Sequence, residues 1–531
     1  MNKTTIDRRK TTFFSNLSND LVYNQLDLLD FINQPFSTEA FDIQIEQKSK
    51  NFPTENRSIL VAELLKKYQS VENNKQTINN INRLKESSTY SITTGHQLNI
   101  LTGPIYFIYK ILNTIKLSKE LNKKHPKNHF VPVFWMATED HDFEEIRETV
   151  IFNNSFKWET KQKGAVGRIL PENINSIRQE FNSLFENNYS NEIERIIDSL
   201  KGKNLSELTF NLVHELFHEF GLIIIDADSH QFKKLFQSSL IKEVKEQFAH
   251  TAVNKTNEEL SLKGYKNQAH ARAINLFYLT SNNRIKIEKT NTDTFSIEGV
   301  GQFSESELIT LIKNTPENFS PNVILRPLYQ ETILPNLCYI GGGGEIAYWM
   351  QLKGVFEKAN ITFPMIQVRN SIQIIEKGTF KKISKLNLQF EDFLKDIHAL
   401  KKEILSHSSQ NDLEFTALNK KLIELASFMK EASSTISSQL ESYTEAETTR
   451  LIKQIEGFKK KLVKTEKEKY DIQLNAISAI YEKLFPNNSL QERSYNFFNL
   501  CKDGAVKKHI DKLYDSIDTR GNDLIVLTDN N

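Results

Sequence analysis

The segment 132–142 constrains the fold of this chain more than any other stretch. Its apolar run, 132–137, is long enough for a strand that is buried on both faces, which is typical of a parallel sheet. The segment ends in four adjacent polar residues, Glu139, Asp140, His141 and Asp142. Ligands of open parallel sheets bind beyond the carboxyl ends of the strands. We therefore predict an α/β fold with a site at the end of this strand.

A second interpretation of the same residues stays open. Carboxylates favour the first turn of a helix, and Asp142 could cap a helix over 143–148. In an extended segment, adjacent side chains point to opposite sides, so Asp140 and Asp142 would share one side and Glu139 and His141 the other. The sequence does not choose between a ligand site and a helix cap.

Length and composition limit the classes of protein that fit. The chain has 531 residues, too many for one hydrophobic core, so two or three domains are expected. Its 68 Lys and Arg residues balance 67 Asp and Glu residues, so charge indicates neither a nucleic acid nor a membrane as partner. The two cysteines lie far apart, the N-terminal stretch is polar, and no apolar window is long enough to cross a membrane. We expect a cytoplasmic protein.

A strand, a turn and a helix precede the central segment. A strand is predicted over 90–93 and a helix over 100–121, with Thr102-Gly103-Pro104 either interrupting the helix or starting it afresh. Between them lie Thr94, Gly95, His96, Gln97 and Asn99. The backbone N–H groups at a helix N-terminus attract anions, so the sequence predicts an anion site there. A plain turn with a buried histidine also fits.

Further strands are predicted to extend this sheet. Residues 90–142 form one strand–helix–strand unit, whose two strands should be parallel. The apolar run 222–225 again ends in acids, which indicates a shared carboxyl edge. The sheet is predicted to resume at 323–325, just before Arg326.

Four consecutive glycines separate a later apolar strand from a helix. They are Gly341, Gly342, Gly343 and Gly344. Glycine permits backbone conformations and close approaches that side chains forbid, which suits a phosphate or carboxylate held by main-chain N–H groups. The loop matches neither a Walker A motif nor the G-x-G-x-x-G spacing. Glu345 opens the helix, where it could hold an ammonium group or simply stabilise the helix dipole.

The segment 214–218 matches the H-E-x-x-H pattern of zinc peptidases. On a helical projection, the apolar residues of 205–220 occupy one sector and the two histidines the opposite side. We therefore expect His214 and His218 to face away from the core. A metal-dependent hydrolase is kept as an alternative.

A long helical region follows the glycine loop. Residues 365–485 contain no proline, and Leu451, Ile455, Phe458 and Leu462 follow heptad spacing. This pattern predicts an antiparallel coiled coil, and because coiled coils commonly pair, a homodimer. The predicted domains are a core with two insertions, a coiled-coil domain, and a C-terminal segment packing on the core: 1–370, with insertions at about 146–205 and 265–320, then 371–486 and 487–531.

Four different motifs occur in order along the chain. They are Thr94-Gly95-His96-Gln97 with 101–106, 132–135 with Glu139-Asp140-His141-Asp142, Arg326-Pro327, and 341–349 with 351–353. Together they resemble the bacillithiol-synthesis cysteine-adding enzymes, the BshC family, over essentially the whole chain. The resemblance implies a Rossmann-like core with two inserted segments and a coiled-coil domain used for dimerisation. It also implies a reaction that joins the carboxyl of cysteine to the amine of glucosaminyl-malate, giving bacillithiol, a low-molecular-weight thiol.

Two positions depart from the pattern of the family. Many members have Gln where His96 stands and Pro where Gly343 stands. The core also resembles nucleotidyl-transferring Rossmann enzymes, yet their His-x-Gly-His signature and Lys-Met-Ser-Lys-Ser loop do not occur in this sequence. Adenylation is therefore an inference from the reaction and not from a motif.

The implied reaction needs an activated carboxyl group, because amide formation from a free carboxylate is uphill in water. We expect ATP or another nucleotide as co-substrate, which Mg²⁺ could accompany; no separate metal site is identified. Nucleotide phosphate or substrate carboxylate is predicted at the two anion sites. A nucleotide-binding scaffold that acts through its coiled coil is an alternative function.

The candidate residues have different predicted roles. Asp140 and Asp142 are predicted to hold the cysteine ammonium or to take the proton from the attacking amine, with His141 as an alternative base. Arg326 is predicted to clamp a malate carboxylate or a phosphate. The remaining candidates are His96 as a catalytic group, and Glu139, Glu345 and Tyr348 as binding groups.

Overall fold

The computed structural model describes residues 2–291, 293–408 and 413–529. The chain divides into two compact units. The larger consists of Lys3–Gln373 and Glu492–Val526, and the smaller mainly of Ile374–Gln491. Within the described ranges, no helix has the length and apolar character needed to span a bilayer.

The strands of the described residues group into two five-stranded sheets, one parallel and one antiparallel, and two smaller sheets. The strands are β1 Asn2–Ile6, β2 Thr89–His96, β3 His129–Met136, β4 Glu148–Ile151, β5 Asn154–Lys157, β6 Ile223–Asp226, β7 Leu276–Leu279, β8 Arg284–Asn291, β9 Thr294–Ile297, β10 Gly301–Ser304, β11 Phe319–Pro321, β12 Asn336–Gly341, β13 Met365–Val368, β14 Ile372–Ile375 and β15 Leu524–Thr528.

Helices connect these strands and build most of the smaller unit. The helices are α1 Asn16–Tyr23, α2 Thr38–Asn51, α3 Thr54–Tyr68, α4 Lys75–Arg83, α5 Tyr106–Lys124, α6 Phe143–Ile146, α7 Ile174–Ser183, α8 Asn191–Ser199, α9 Leu205–Phe217, α10 His230–Glu246, α11 Phe248–Leu262, α12 Glu305–Asn314, α13 Arg326–Ile333, α14 Gly343–Met350, α15 Lys353–Ala359, α16 Lys377–Lys385, α17 Ile397–Ser408, α18 Thr416–Ile436, α19 Glu441–Lys469, α20 Asp471–Leu484 and α21 Val506–Ser516.

A five-stranded sheet forms the centre of the larger unit, in the order β13-β12-β2-β3-β6. Every pairing in it is parallel, so all five carboxyl ends lie at one edge. β2 and β3 are almost wholly buried, because both faces of the sheet are covered there. The predicted α/β fold with a parallel sheet is confirmed, and the segment 132–142 leaves β3 at that edge.

The second five-stranded sheet is antiparallel. Its strands lie in the order β10-β9-β8-β7-β11. Four of its strands, β7 to β10, lie within the insertion predicted at about 265–320. Two smaller sheets have the orders β1-β15-β14 and β4-β5. The antiparallel sheet matters for function because β8 begins at Arg284, whose guanidinium reaches the carboxyl edge of the parallel sheet.

The predicted helix N-terminus at 94–99 is wrong. β2 continues to His96 because its ladder with β3 runs without a break to the pair His96 and Met136. The helical pattern is then interrupted by Leu101, Thr102 and Gly103, whose φ angles are 46°, 70° and 59°. These left-handed residues end a short 3₁₀ turn, so α5 starts afresh at Tyr106.

Asn496, from the C-terminal part of the larger unit, holds this left-handed segment in place. Its Nδ2 donates to the carbonyls of Leu101 and Gly103 at 2.8 and 2.9 Å, and Asn496 is completely buried. The Ile105 N–H also donates to the Tyr495 carbonyl at 2.7 Å. The turn between β2 and α5 therefore depends on residues almost 400 positions later in the chain.

Replacing Asn496 with alanine should lower the free energy of unfolding by about 2 to 4 kcal/mol, because two buried carbonyls lose their donor. Denaturant titration measures this loss. Alanine at the exposed Lys502 is the control and should change stability by less than about 0.5 kcal/mol. A loss of that small size for Asn496→Ala would contradict its role in the turn.

The predicted strand at 323–325 is also wrong. These residues form a turn, because the Asn322 side chain accepts from the N–H of Ile324 at 2.9 Å and bends the chain. Arg326 is consequently the first residue of α13, and Pro327 follows it at a position where helices tolerate proline.

Helices build the smaller unit. Its longest are α18 and α19, joined by a short 3₁₀ turn at Ser438–Leu440. Lys459 of α19 donates to the side-chain oxygen of Asn419 of α18, so the two helices pack side by side.

Candidate active site

A cavity of about 530 Å³ lies at the carboxyl edge of β2, β3 and β12. The insertion at about 265–320 and the start of α14 also contribute to its wall. Of the predicted site residues, those lining it are Gly95, His96, Gln97, Asp140, His141, Arg326, Gly344, Glu345 and Tyr348. The structure thus gathers residues that lie up to about 250 positions apart in the sequence.

Asp140 lies at the centre of one polar group, which we call the Asp140 cluster. Its Oδ2 accepts from Gln97 Nε2 at 2.6 Å and from Arg326 Nη1 at 3.3 Å. Its Oδ1 lies 3.8 Å from Arg284 Nη1 and accepts from the His141 N–H at 2.8 Å. The Asp140 side chain is 18% exposed, so it is enclosed but still open to the cavity.

The pKa of Asp140 is set by two opposing effects. Burial raises it, but hydrogen bonds from His141 and Gln97 and the charge of Arg326 outweigh burial and hold the pKa well below its ordinary value. Asp140 is therefore ionised at neutral pH. It places one negative charge beside two guanidinium groups. The carboxylate suits an ammonium or amine ligand, and the guanidinium groups suit an anion.

This lowered pKa has a consequence for stability. A carboxyl group with a lower pKa in the folded state stabilises the fold above its unfolded pKa, near 3.8, and loses that contribution as the pH falls. We expect the free energy of unfolding of the native chain to fall more steeply below pH 4 than that of Asp140→Asn. Denaturant titrations at several pH values measure both slopes; equal slopes would contradict the assignment.

His141 lies at the mouth of the cavity, with its side chain 53% exposed. Its Nδ1 is 3.1 Å from Arg284 Nη1, and its ring centroid is 5.8 Å from that of Phe277. The Arg284 guanidinium lies 3.9 Å over the same Phe277 ring. His141 can therefore reach a bound ligand, as predicted for an alternative base.

A second polar group, the Glu345 cluster, lies at the start of α14. Glu345 Oε2 accepts from Lys110 Nζ at 2.7 Å and from the Gly342 N–H at 3.1 Å, and Oε1 accepts from the Tyr339 hydroxyl. Lys110 also donates to the Gly95 carbonyl. Burial lowers the pKa of Lys110, while the charge of Glu345 raises it. Glu345 thus fixes a buried ammonium at the cavity wall.

The four glycines do not adopt left-handed backbone conformations, since none of them has a positive φ. Close approach is what requires glycine in this region. A Cβ at Gly343 would lie 2.7 Å from Ser18 Oγ, and one at Gly95 would lie 2.9 Å from the Tyr339 hydroxyl. Gly344 faces open space and lines the cavity, whereas Gly341 is buried within β12.

His96 is held in an aromatic wall. Its ring stacks on Phe107 at 4.9 Å and meets Tyr106 edge-on at 5.3 Å. Its Nε2 is buried without a partner among the described residues. Burial, followed by the positive charges of Lys110 and Arg369, lowers the pKa of His96 well below its ordinary value, so the ring is neutral.

Tyr348 also lines the cavity and lies near both clusters. Burial raises the pKa of its hydroxyl, and the charge of Glu345 raises it further. The hydroxyl is therefore protonated at neutral pH and can act as a hydrogen-bond donor or acceptor.

Glu139, predicted as a binding group, does not line the cavity. It is 4% exposed and forms a buried ion pair with Lys233 of α10, which also donates to the Phe319 carbonyl. The Glu139 side chain is taken up by Lys233, whereas Asp140 lines the cavity.

Asp142 serves as a helix cap. It is exposed, and its Oδ1 accepts from the Glu145 N–H at 3.2 Å at the start of α6. The structure therefore separates Asp140 from Asp142, although the sequence suggested that they share one side. The chain turns at 137–142 and is not extended there, since the Asp140 N–H already donates to the Ala137 carbonyl.

Thr94 and Asn99 lie behind the cavity wall. The Thr94 hydroxyl is buried and donates to the Ile340 carbonyl at 2.7 Å, which joins β2 to β12. Asn99 Nδ2 contacts the Glu145 carbonyl at 3.4 Å. Both side chains support the turn after β2 and do not line the cavity.

Three lysine and arginine residues of the cavity were not among the sequence candidates: Lys110, Arg272 and Arg284. Lys110 is a lysine within the otherwise apolar start of α5, an anomaly that could have revealed it. Arg284 lies in β8, and its side chain is 3% exposed. Nothing in the local sequence indicates that it approaches Asp140, because the contact depends on how the insertion folds over the sheet.

The expectation that His214 and His218 face away from the core is wrong for His214. His214 is 7% exposed because α3 covers this side of α9. Its Nε2 donates to the Glu72 carbonyl at 2.8 Å, and its ring lies 5.8 Å from that of Tyr68. No group of three or more possible metal ligands occurs among the residues that the structure describes.

Two models of one protein family match this chain. The family model described as bacillithiol biosynthesis BshC, N-terminal Rossmann-like domain, matches residues 1–370. The model of the C-terminal coiled-coil domain of BshC matches residues 372–528. The chain belongs to the BshC family. The resemblance found in the sequence is thereby confirmed, and the four motifs that carry it supply most of the cavity wall.

Relatives in this family are similar over nearly the full chain. A protein of Flavobacterium johnsoniae is 39% identical over 495 residues, covering 93% of each chain. One of Christiangramia forsetii is 34% identical over 536 residues and covers 98% of each, and one of Bacillus cereus strain Q1 is 29% identical over 459 residues, covering 83% of this chain and 85% of its own. All three are named "Putative cysteine ligase BshC".

Proposed function

We propose that this protein is a ligase that joins the carboxyl group of cysteine to the amine of glucosaminyl-malate, the last step of bacillithiol biosynthesis. The observation that carries the proposal is the cavity. It places one ionised carboxylate, Asp140, between two guanidinium groups, and a second set of donors at the start of α14. Membership of the BshC family and the names of its relatives support the same reaction.

Forming this amide requires an activated carboxyl group. In the proposed route, a carboxylate oxygen of cysteine attacks a phosphorus atom of ATP, and pyrophosphate or ADP leaves. The amine of glucosaminyl-malate then attacks the acyl carbon, the bond from that carbon to the phosphate oxygen breaks, and AMP or phosphate leaves. The amine loses one proton to a base. Backbone N–H groups and basic side chains stabilise the negative charge that develops.

The cavity supplies groups for each part of this route. Asp140 holds the ammonium form of an amino group, which its full ionisation favours. Its lowered pKa makes it a weak base, so His141 is the base that we propose for the proton of the attacking amine. Arg284 and Arg326 offer donors for a carboxylate of the malate part, since guanidinium groups pair with carboxylates in fixed geometry. The Glu345 cluster and Gly344 face the activated carboxyl group. Cysteine and glucosaminyl-malate are cytoplasmic metabolites in this proposal, so we place the enzyme in the cytoplasm.

Incubation of the purified protein with cysteine, glucosaminyl-malate and ATP tests the proposal. Mass spectrometry follows bacillithiol, AMP and ADP over time. We expect bacillithiol, with AMP if activation gives an acyl-adenylate and with ADP if it gives an acyl-phosphate. Binding of ATP without any bacillithiol would favour a nucleotide-binding scaffold instead. Intact bacillithiol in a strain that lacks the gene would overturn the proposal.

We further propose that the protein is a homodimer through α18 and α19. Large apolar side chains are exposed along these helices, which is unusual for a surface facing only water. Ile423 is 71% exposed and Phe428 is 68% exposed. A second copy of the same surface would bury them, as in other coiled coils.

The variant Ile423→Glu/Phe428→Glu should be largely monomeric, because burying two carboxylates in an apolar seam is costly. Light scattering coupled to size-exclusion chromatography measures the mass, and we expect twice the chain mass for the native protein. Leu262→Glu is the matched control, since Leu262 is 89% exposed on α11 of the larger unit. A dimer for the double variant would contradict this interface.

A further inference from the structure

A buried donor beside the glycine loop has no partner. Arg369 is 7% exposed, and its two terminal nitrogens pair with Glu492 at 2.9 and 2.7 Å. Its remaining donor, Nε, has no hydrogen-bond partner among the described residues. Nε lies 4.0 Å from the point where a Cβ of residue 342 would sit, so its N–H adjoins the start of α14. Leaving such a group unpaired is costly unless a ligand accepts from it.

Lys110 has a similar unused donor. An ammonium carries three N–H groups, and two of them go to the Gly95 carbonyl and Glu345 Oε2. The Lys110 side chain is 3% exposed and lines the cavity. Its third N–H can therefore donate to a ligand in the cavity. Both oxygens of Glu345 are already engaged, so this carboxylate orients Lys110.

The start of α14 adds main-chain donors. The first N–H groups of a helix have no intrahelical acceptor. The Gly342 N–H is taken by Glu345, which leaves those of Gly343 and Gly344, and Gly344 lines the cavity. Arg369 lies next to this helix start, and its guanidinium lies 4.9 Å from the centre of the Tyr106 ring.

We propose that Lys110, Arg369 and the N–H groups of Gly343 and Gly344 form a phosphate subsite that takes the phosphoryl chain of a nucleoside triphosphate. The donors come from α5, from the segment after β13 and from α14: Lys110 and Gly344 line the cavity, and Arg369 Nε adjoins Gly342 at the start of α14. A phosphoryl group offers acceptor oxygens in a tetrahedral arrangement, which suits such a set better than the two coplanar oxygens of a carboxylate. The proposal rests on the proposed function, because it supplies the nucleotide site that a ligase of this type needs.

Calorimetric titration of the full-length protein with inorganic pyrophosphate and with ADP tests this subsite. We expect Lys110→Met and Arg369→Lys each to weaken pyrophosphate binding by about tenfold or more. Arg369→Lys keeps a positive charge opposite Glu492 but removes the Nε donor and the two-nitrogen pairing with Glu492. Thermal unfolding and circular dichroism confirm that each variant is folded before it is titrated.

Lys116→Met is the matched control. Lys116 lies on the same helix, α5, but donates to the carbonyls of Tyr514 and Ile517 at 3.0 and 2.7 Å and does not line the cavity. Its pyrophosphate affinity should stay within about twofold of the native value. Equal affinity of native protein, Lys110→Met and Arg369→Lys for pyrophosphate would overturn the subsite. So would weakened binding of malate in these variants with unchanged binding of pyrophosphate, since the donors would then serve a carboxylate.

The outcomes separate this subsite from the ligase activity. Bacillithiol formation at native rates in Lys110→Met and Arg369→Lys would overturn the subsite and leave the ligase intact. Pyrophosphate binding that depends on Lys110 and Arg369, in a native protein that makes no bacillithiol, would support the subsite and overturn the ligase.

Discussion

Replacing Asp140 with asparagine is expected to lower kcat/KM for bacillithiol formation by about 100-fold or more, because this carboxylate is the ionised acceptor in the cavity. Asparagine has almost the same size and can still accept from Gln97 and Arg326. It carries no negative charge, so it cannot hold an ammonium group electrostatically. Steady-state rates from mass spectrometry, with cysteine and glucosaminyl-malate varied separately, measure the loss.

Asp142→Asn is the matched control for this prediction. Asparagine caps a helix about as well as aspartate, so the contact with the Glu145 N–H should survive. We expect an activity within about twofold of the native value. Equal losses in Asp140→Asn and Asp142→Asn would mean that the chemistry depends on the whole acidic segment and not on the one carboxylate that lines the cavity.

Glu139→Met is expected to lower the free energy of unfolding by about 3 to 5 kcal/mol, because it leaves the ammonium of Lys233 buried without its counter-charge. Lys233 is fully buried, and burial raises the pKa of Glu139, although the charge of Lys233 lowers it. The pair therefore joins α10 to the end of β3 at a position that no ligand can reach. Denaturant titration at neutral pH measures the loss.

The double variant Glu139→Met/Lys233→Met distinguishes an effect on stability from an effect on substrate binding. Two apolar side chains of similar length should recover most of the lost stability, since replacing both members of a buried ion pair is often nearly neutral. The Michaelis constants of the double variant should stay close to native values because neither residue lines the cavity. A large rise in the constant for either substrate, with stability restored, would return Glu139 to the binding groups.

Much of the site could be predicted from local sequence. The apolar run 132–137, which is followed by Glu139 and Asp140, identifies the carboxyl end of a buried strand. The four glycines before Glu345 identify a helix start at which backbone N–H groups can bind a ligand. Both features depend on neighbours a few residues away. For the same reason the heptad pattern of residues 451–462 predicted a helical domain, which the coiled-coil family model confirms.

Other candidates were predicted with an incorrect geometry. Asp142 and Glu139 belong to the same acidic segment as Asp140, yet one caps α6 and the other pairs with Lys233. The sequence could not separate them, because whether the segment is extended or turned depends on the hydrogen bond from the Asp140 N–H to the Ala137 carbonyl and on what covers each side.

The sequence by itself determined the parallel sheet, its carboxyl edge and the family, because these follow from hydrophobic runs, glycine positions and motif spacing along a short stretch of chain. Only the tertiary structure decided which side chains meet in the cavity. Arg284 reaches Asp140 across 144 positions, and Asn496 fixes a turn almost 400 positions away. Such contacts are set by packing of one element on another, and local sequence carries no information about them.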